Sequence, residues 1–316
     1  MLIVTTCKVK ERIQNHLEER FPTVKFIWTD SINEAEAYLE DAEVLITYGE
    51  DLTNEHIEKA RKLKWIMVIS AGLDKMPFEK IAEKDIAVTN ARGIHAVPMA
   101  EYAIAMLLQV QRQARKLYDL QKAHQWDRTV KMETISRKTM LIVGTGAIGQ
   151  ELARLAKAFN MKTIGVSRTG EQKPYFDECY SNDRLNEVIQ EADFVIGILP
   201  ATPYTEKYFG KEQFALMKSD AIFLNMGRGK TVDEQALIEA LRAEQIKHAV
   251  LDVFEQEPLD SASPLWDLEN CTITPHLSGI FRTYQDDAFE IFTKNLEAYE
   301  NGEGLILNII DPKRGY

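Results

Sequence analysis

Short apolar runs recur along this chain, and between them lie longer stretches in which apolar residues return every three or four positions among Glu, Lys and Arg. The runs LIVT (2–5), VKFIW (24–28), VLITY (44–48), WIMVIS (65–70) and IAVTN (86–90) read as strands. The segments 10–20, 33–39 and 54–63 between them read as helices. Such alternation builds a parallel sheet with helices on both faces. Next comes a long stretch, 98–125, with Met99, Ala103, Met106, Leu107 and Val110 on one face. It reads as one helix crossing between two domains, its apolar side given to core packing or to a subunit interface. The rhythm then restarts, with strands at 140–143, 163–166, 193–199, 221–225, 248–253 and 272–275. Six strands in that rhythm make a complete doubly wound domain. A last helical stretch, 284–301, ends at Gly302 and is expected to return to the first domain. The expected division is 1–93 with 283–316 for one domain and 94–282 for the other.

Within the second set, the apolar run MLIV passes straight into Gly144, Thr145, Gly146, Ala147, Ile148 and Gly149, spaced G-x-G-x-x-G. An amphipathic segment follows, with Ile148, Leu152, Leu155, Ala156 and Phe159 on one face. In a strand-turn-helix setting this is the fingerprint of dinucleotide binding. The first glycine allows the tight turn, the second lets the backbone approach a pyrophosphate, and the third lets helix and strand pack closely. The pyrophosphate would sit on the amides at the helix start. An acidic residue about 20 positions later marks NAD, through the ribose 2′-hydroxyl. Here Ser167, Arg168 and Thr169 fill that slot. An arginine with two hydroxyls suits a 2′-phosphate, so NADP(H) is expected over NAD(H).

Composition narrows the rest. A length of 316 residues argues for two domains. With 45% hydrophobic and 28% charged residues the chain reads as an ordinary globular protein, and a net charge of −11 argues against nucleic acid. Cys7, Cys179 and Cys271 are far apart and form no C-x-x-C pair, so neither a disulfide framework nor a metal site is expected, and a reducing cytoplasm fits best. The first seven residues are apolar but lack a basic flank and read as a strand, not a signal peptide; no run approaches the length of a membrane span.

In open α/β sheets the chemistry sits outside the carboxyl ends of strands. Three charged groups stand there: Arg228 in NMGRGKTVD, Asp252 and Glu257 in LDVFEQEP, and His276 in TPHLSG. With the fingerprint, the ordered segments NMGRGKTVDEQAL, LDVFEQEPLDSASPLW and PHLSG resemble the D-isomer-specific 2-hydroxyacid dehydrogenase family. SAGLD (70–74), NARG followed by Ala100 and Glu101, and LPATPYT (199–205) extend the likeness over most of the chain. The Ser-Arg-Thr slot is closest in character to the NADP-preferring glyoxylate and hydroxypyruvate reductases.

The resemblance implies an α/β fold of two doubly wound parallel-sheet domains. One is a flavodoxin-like substrate domain, the other a Rossmann-like cofactor domain, with the active site in the cleft between them, commonly as a homodimer. It implies Arg228 as the substrate-binding arginine, His276 as the acid-base histidine and Glu257 as its carboxylate partner. A histidine suits delivery of a proton to a carbonyl oxygen near neutrality, and a carboxylate on its other nitrogen orients the ring. Ala71, Gly72 and Leu73 would hold the substrate carboxylate through backbone amides. Leu199, Pro200, Thr205, Met226, Gly227, Asp252 and Ser278 would line the cofactor. His95 and His248 are read as structural.

Met226 departs from the smaller or branched residue frequent in the family. Arg92 is an extra positive charge that either favours a second anionic group on the substrate or faces solvent. The expected activity is reduction of a 2-keto acid to a D-2-hydroxy acid. The rivals are an NAD-linked phosphoglycerate dehydrogenase and a non-catalytic NAD(P)-sensing protein.

Overall fold

The computed structural model describes residues 1–70, 72–73 and 75–312. It divides into two compact units, Met1–Ile94 with Phe281–Tyr316, and His95–Ile280.

In the first unit, β1 (Leu2–Thr5), β2 (Lys25–Ile27), β3 (Val44–Thr47), β4 (Trp65–Val68) and β5 (Ala87–Asn90) pair in parallel, in the order β2-β1-β3-β4-β5. That is the flavodoxin-like order. Ile309–Ile310 adds antiparallel to β5 at the edge. Alternation along the strands sends Ile3, Val44, Ile46, Trp65 and Met67 to one face, and Val4, Leu45, Ile66, Val68 and Val88 to the other. The first face is covered by Ile13 and Leu17 of the helix Glu11–Arg20 and by Ala288, Phe289, Phe292 and Leu296 of the helix Tyr284–Glu300. Trp65 stacks on Phe292 at 5.2 Å, and its indole N–H donates to Thr89 Oγ1 at 2.8 Å, so the largest core side chain also satisfies its one donor.

The second unit carries β6 (Thr139–Val143), β7 (Lys162–Ser167), β8 (Glu178–Ser181), β9 (Phe194–Gly197), β10 (Ile222–Asn225), β11 (His248–Leu251) and β12 (Cys271–Ile273), all parallel. Their order, β8-β7-β6-β9-β10-β11-β12, turns back on itself at β6, the switch point of a doubly wound sheet. The six expected strands are joined by a seventh. β8 is the mixed sequence ECYS, half-buried throughout at the sheet edge, and so lacks the apolar run that marks its neighbours. Met140, Ile142, Phe194, Ile196, Ile222 and Leu224 face the helices Ala96–Gln111 and Ala147–Ala158, while Leu141, Val143, Val195, Phe223 and Leu251 face the opposite layer.

The single helix expected over 98–125 is two. Ala96–Gln111 ends, Gln113 takes a φ of 55°, and Ala114–Lys122 begins anew. The second piece buries no residue, so no core contact holds it on the axis of the first.

Strand pairing aligns the carboxyl ends of the second sheet. Ile273 pairs with Leu251, Leu251 with Asn225, Asn225 with Gly197, Gly197 with Val143, and Val143 with Val166. Every segment that carries candidate chemistry in this unit leaves the sheet from that one row.

Candidate active site

From Val143 the chain enters the turn Gly144-Thr145-Gly146, and the helix Ala147–Ala158 starts at once. Gly144 has a φ of 116°, and a Cβ there would meet the Ile198 carbonyl at 2.7 Å. At Gly149 a Cβ would run into the Gly144 carbonyl, so helix and turn touch backbone to backbone. Beside Gly146, its chain neighbours aside, no atom of the described residues lies within 4 Å of where a Cβ would be, and this N-cap glycine has no side chain to cap the helix. Thr145 is buried, and its carbonyl accepts from the Gln150 side-chain amide at 3.1 Å, which fixes the turn. Uncapped N–H groups at a helix start, facing open space, fit a pyrophosphate.

The Gly144 amide donates to the Val166 carbonyl at 2.9 Å, which sets the end of β7 beside the turn. Ser167 Oγ accepts from the Gly170 amide at 3.2 Å and keeps its own proton to donate. Arg168 and Thr169 are exposed. Their types and place fit a phosphate next to the turn. On the other side of the switch point, β9 leads into Leu199 and Pro200, where the Thr205 hydroxyl closes the loop by donating to the Pro200 carbonyl at 2.6 Å.

Farther along the row, Asn225 is fully buried and spans two loops. Its side chain donates to the Arg228 carbonyl at 3.1 Å and accepts from the Gly227 amide at 3.2 Å, while its carbonyl accepts from the Asp252 amide at 3.0 Å. The Arg228 guanidinium donates to the Gly227 carbonyl at 2.9 Å. Burial, with the nearby Arg228 charge, lowers the pKa of His95 to about 4. His276 Nδ1 lies 2.7 Å from Glu257 Oε2, and Glu257 Oε1 accepts from the Phe254 amide at 3.0 Å. A carboxylate only accepts, so Nδ1 carries the hydrogen and Nε2 is turned away from Glu257. The His276 side chain is 49% exposed, open to a ligand. Close by, Glu234 and Glu255 exchange amide-to-carboxylate bonds at 2.5 and 3.3 Å. Burial, then the charges of Glu255 and Glu257, raise the pKa of Glu234. Among the described residues no cluster of His, Cys, Asp and Glu is suited to a metal.

His276 has a φ of 55°, a conformation that costs a non-glycine residue about 1–3 kcal/mol and persists only when its surroundings enforce it. Asp252 does the enforcing. Its carbonyl accepts from the His276 amide at 2.8 Å, and its carboxylate accepts from Thr274 Oγ1 at 2.5 Å and from the Leu277 and Ser278 amides at 2.9 Å each. Asp252, expected to line the cofactor, is fully buried here and shapes the loop that carries His276.

Met226 likewise packs in the apolar core, and Gly227 and Ser278 are buried. In the loop after β4, Leu73 is buried in the core of the first unit, and the Gly72 carbonyl accepts from the Ser70 hydroxyl at 3.0 Å. Ala71 lies outside the described residues. The structure thus joins His276 to Glu257 and sets Arg228 on the same row. Beside them it places Asn225, Thr274 and Tyr102, whose hydroxyl lies 2.7 Å from Thr274 Oγ1, none of which was expected. An asparagine or threonine at a strand end is too common to single out, and a tyrosine on an apolar helix face reads as core.

The profile of the D-isomer specific 2-hydroxyacid dehydrogenase NAD binding domain matches residues 104–278. The chain is 35% identical over 276 residues to glyoxylate/hydroxypyruvate reductase B of Escherichia coli O6:H1 (strain CFT073), covering 85% of this chain and 84% of that one. It is 36% identical over 282 residues, 86% of its length, to D-3-phosphoglycerate dehydrogenase of Methanocaldococcus jannaschii, and spans 52% of that relative. A crystal structure of a D-isomer specific 2-hydroxyacid dehydrogenase family protein from Aeromonas salmonicida subsp. salmonicida superposes with a TM-score of 0.88 at 34% identity, over 98% of this chain and 99% of that one. The NADPH-dependent glyoxylate/hydroxypyruvate reductase of Sinorhizobium meliloti, solved with NADP and sulfate, gives 0.84 at 27% identity, over 100% and 99%.

Proposed function

The chain belongs to the D-isomer specific 2-hydroxyacid dehydrogenase family of NAD(P)-dependent oxidoreductases, and on that premise we propose that it reduces a small 2-keto acid of the glyoxylate or hydroxypyruvate kind to a D-2-hydroxy acid, reversibly, with NADPH preferred over NADH. The observation that carries the reading is the 2.7 Å pairing of His276 with Glu257, on the same sheet edge as Arg228 and the glycine turn. A bound nicotinamide cofactor supplies the hydride for the carbonyl carbon. Arg228 grips the substrate carboxylate and carbonyl oxygen as a fork and polarises the carbonyl. His276 passes a proton from Nε2 to that oxygen, while the Glu257 carboxylate keeps the ring in place and stabilises its charged form.

The NADPH preference rests on Ser167, Arg168 and Thr169 in the slot where an acid would mark NAD, and the S. meliloti relative is named as NADPH-dependent. The keto acids are those in the name of the E. coli relative. We further propose a homodimer, because the segment after Gln111 exposes Leu117, Tyr118, Met132 and Trp126, the last at 92%. Three free cysteines suit a reducing cytoplasm, and among the described residues no helix is long and apolar enough to cross a membrane.

The test is an absorbance assay of NADPH and NADH against glyoxylate, hydroxypyruvate, 3-phosphohydroxypyruvate and pyruvate. The expected result is consumption of NADPH with the first two substrates, at a kcat/KM about tenfold or more above NADH, the discrimination of one charge-assisted contact. Faster NADH-linked turnover of 3-phosphohydroxypyruvate replaces the reading with a phosphoglycerate dehydrogenase. No turnover of any keto acid leaves a nucleotide-binding protein without this activity.

A further inference from the structure

Tyr102 sits on the helix Ala96–Gln111 among residues of the apolar core, yet its hydroxyl does not end there. It lies 2.7 Å from Oγ1 of Thr274, the first residue beyond β12. Thr274 Oγ1 is in turn 2.5 Å from Asp252 Oδ1. A threonine hydroxyl has one hydrogen and a carboxylate only accepts, so Thr274 donates to Asp252 and Tyr102 must donate to Thr274. The two bonds therefore point one way, from the helix toward the buried carboxylate. That carboxylate also receives the Leu277 and Ser278 amides, and the Asp252 carbonyl receives the amide of His276. Backbone on both sides of the imidazole is thus tied to one aspartate, and the aspartate is tied to the helix through Thr274. Burial raises the pKa of Tyr102, which keeps its hydroxyl a donor.

We propose that Tyr102 is a positioning residue for His276, acting through Thr274 and Asp252 to hold the imidazole at its distance from Glu257. This rests on the reading of His276 as the proton donor. The physical reason is leverage. A left-handed residue keeps its backbone angles only while its neighbours hold it, and proton transfer tolerates little slack in donor position. The competing account is that a half-buried tyrosine has found the nearest acceptor, which many do. The two accounts differ in what losing the hydroxyl does to His276 itself.

Two readouts separate them, turnover and a cofactor-free spectrum. In Tyr102→Phe, kcat for the keto acid is expected to fall roughly fivefold to tenfold, the worth of one net hydrogen bond, while KM and the NADPH dissociation constant stay within about twofold. The downfield ring N–H proton resonance of His276, recorded without cofactor, should move upfield or broaden as the bond to Glu257 loosens. Thr274→Val, which cuts both bonds at nearly constant shape, should do the same at least as strongly. Thr274→Ser keeps the hydroxyl and should restore both readouts to within about twofold of the parent. The double variant Tyr102→Phe/Thr274→Val should be no worse than Thr274→Val alone, because both act along one chain. A folded Tyr102→Phe with parental kcat and an unmoved resonance overturns the proposal, as do losses that multiply in the double variant. If the parent itself turns over no keto acid, the functional reading fails, and the resonance in Tyr102→Phe alone decides whether Tyr102 positions the imidazole.

Discussion

Glu257 divides its two oxygens between donors of different kinds, the Phe254 amide and the His276 ring. Glu257→Gln keeps the size of the side chain but removes the charge that stabilises an imidazolium. It should lower kcat by about 100-fold, at the small end of general acid-base contributions, and His276→Ala by about 100-fold to 10,000-fold. NADPH affinity, measured by fluorescence titration, should hold in both, because along the row the glycine turn after β6 lies three strands from β11, which leads to Glu257, and four from β12, which leads to His276. A turnover number unchanged in either variant removes that residue from the mechanism. Arg168 is tested by the opposite pattern. Arg168→Ala should weaken NADPH by about 10-fold to 100-fold, the value of a charge-assisted pair, and leave NADH nearly untouched. Equal losses for the two cofactors would mean that Arg168 serves packing, not a 2′-phosphate.

At the scale of elements, what was legible is what backbone geometry forces. The strand-turn-helix at Gly144 could be read because no other residue fits at φ 116° beside the Ile198 carbonyl. Gly149→Ala therefore makes a strong claim: its methyl must push the helix Ala147–Ala158 off the turn. We expect a loss of roughly 2 kcal/mol or more in unfolding free energy, as in other overpacked sites, with NADPH affinity falling alongside. Chemical denaturation with a binding titration checks it, and an intact, tightly binding Gly149→Ala protein would refute the close approach.

What escaped the sequence depends on which way a group faces. β8 escaped because an edge strand needs no apolar run, and the break at Gln113 escaped because the stretch keeps helical composition after its core contacts stop. Arg228, Glu257 and His276 stood out as charged residues following strands. Asp252 stood out in the same way, yet it serves backbone amides underneath His276. A strand-end carboxylate has one signature in sequence whether it meets a ligand or a loop, so only the fold separates the two.

Across the second unit, two histidines are folded in their neutral form. Burial lowers His248 to about 4, helped by the charges of Arg115 and Lys247, and its Nε2 lies 2.9 Å from Thr272 Oγ1. Burial, with Arg228, lowers His95 to about 4 as well. The reference value for both is 6.5. As pH falls below that value the unfolded chain takes up protons that the folded unit refuses, so the stability these groups contribute is full above it and drains away toward pH 4. Each group changes unfolding free energy by about 1.4 kcal/mol per pH unit in mid-window, hence about 100-fold per unit in the open population when both act. Peptide-resolved hydrogen exchange on β9 and β10, corrected for intrinsic rates, should show that slope between roughly pH 5 and 6. His248→Gln removes one titrating ring while keeping an amide able to bond Thr272, and should cut the slope to about tenfold per unit. A slope that stays at the parental value in His248→Gln would mean that this histidine is already protonated in the folded unit. Its burial beside Arg115 and Lys247 would then not be what ties the second unit to neutral pH.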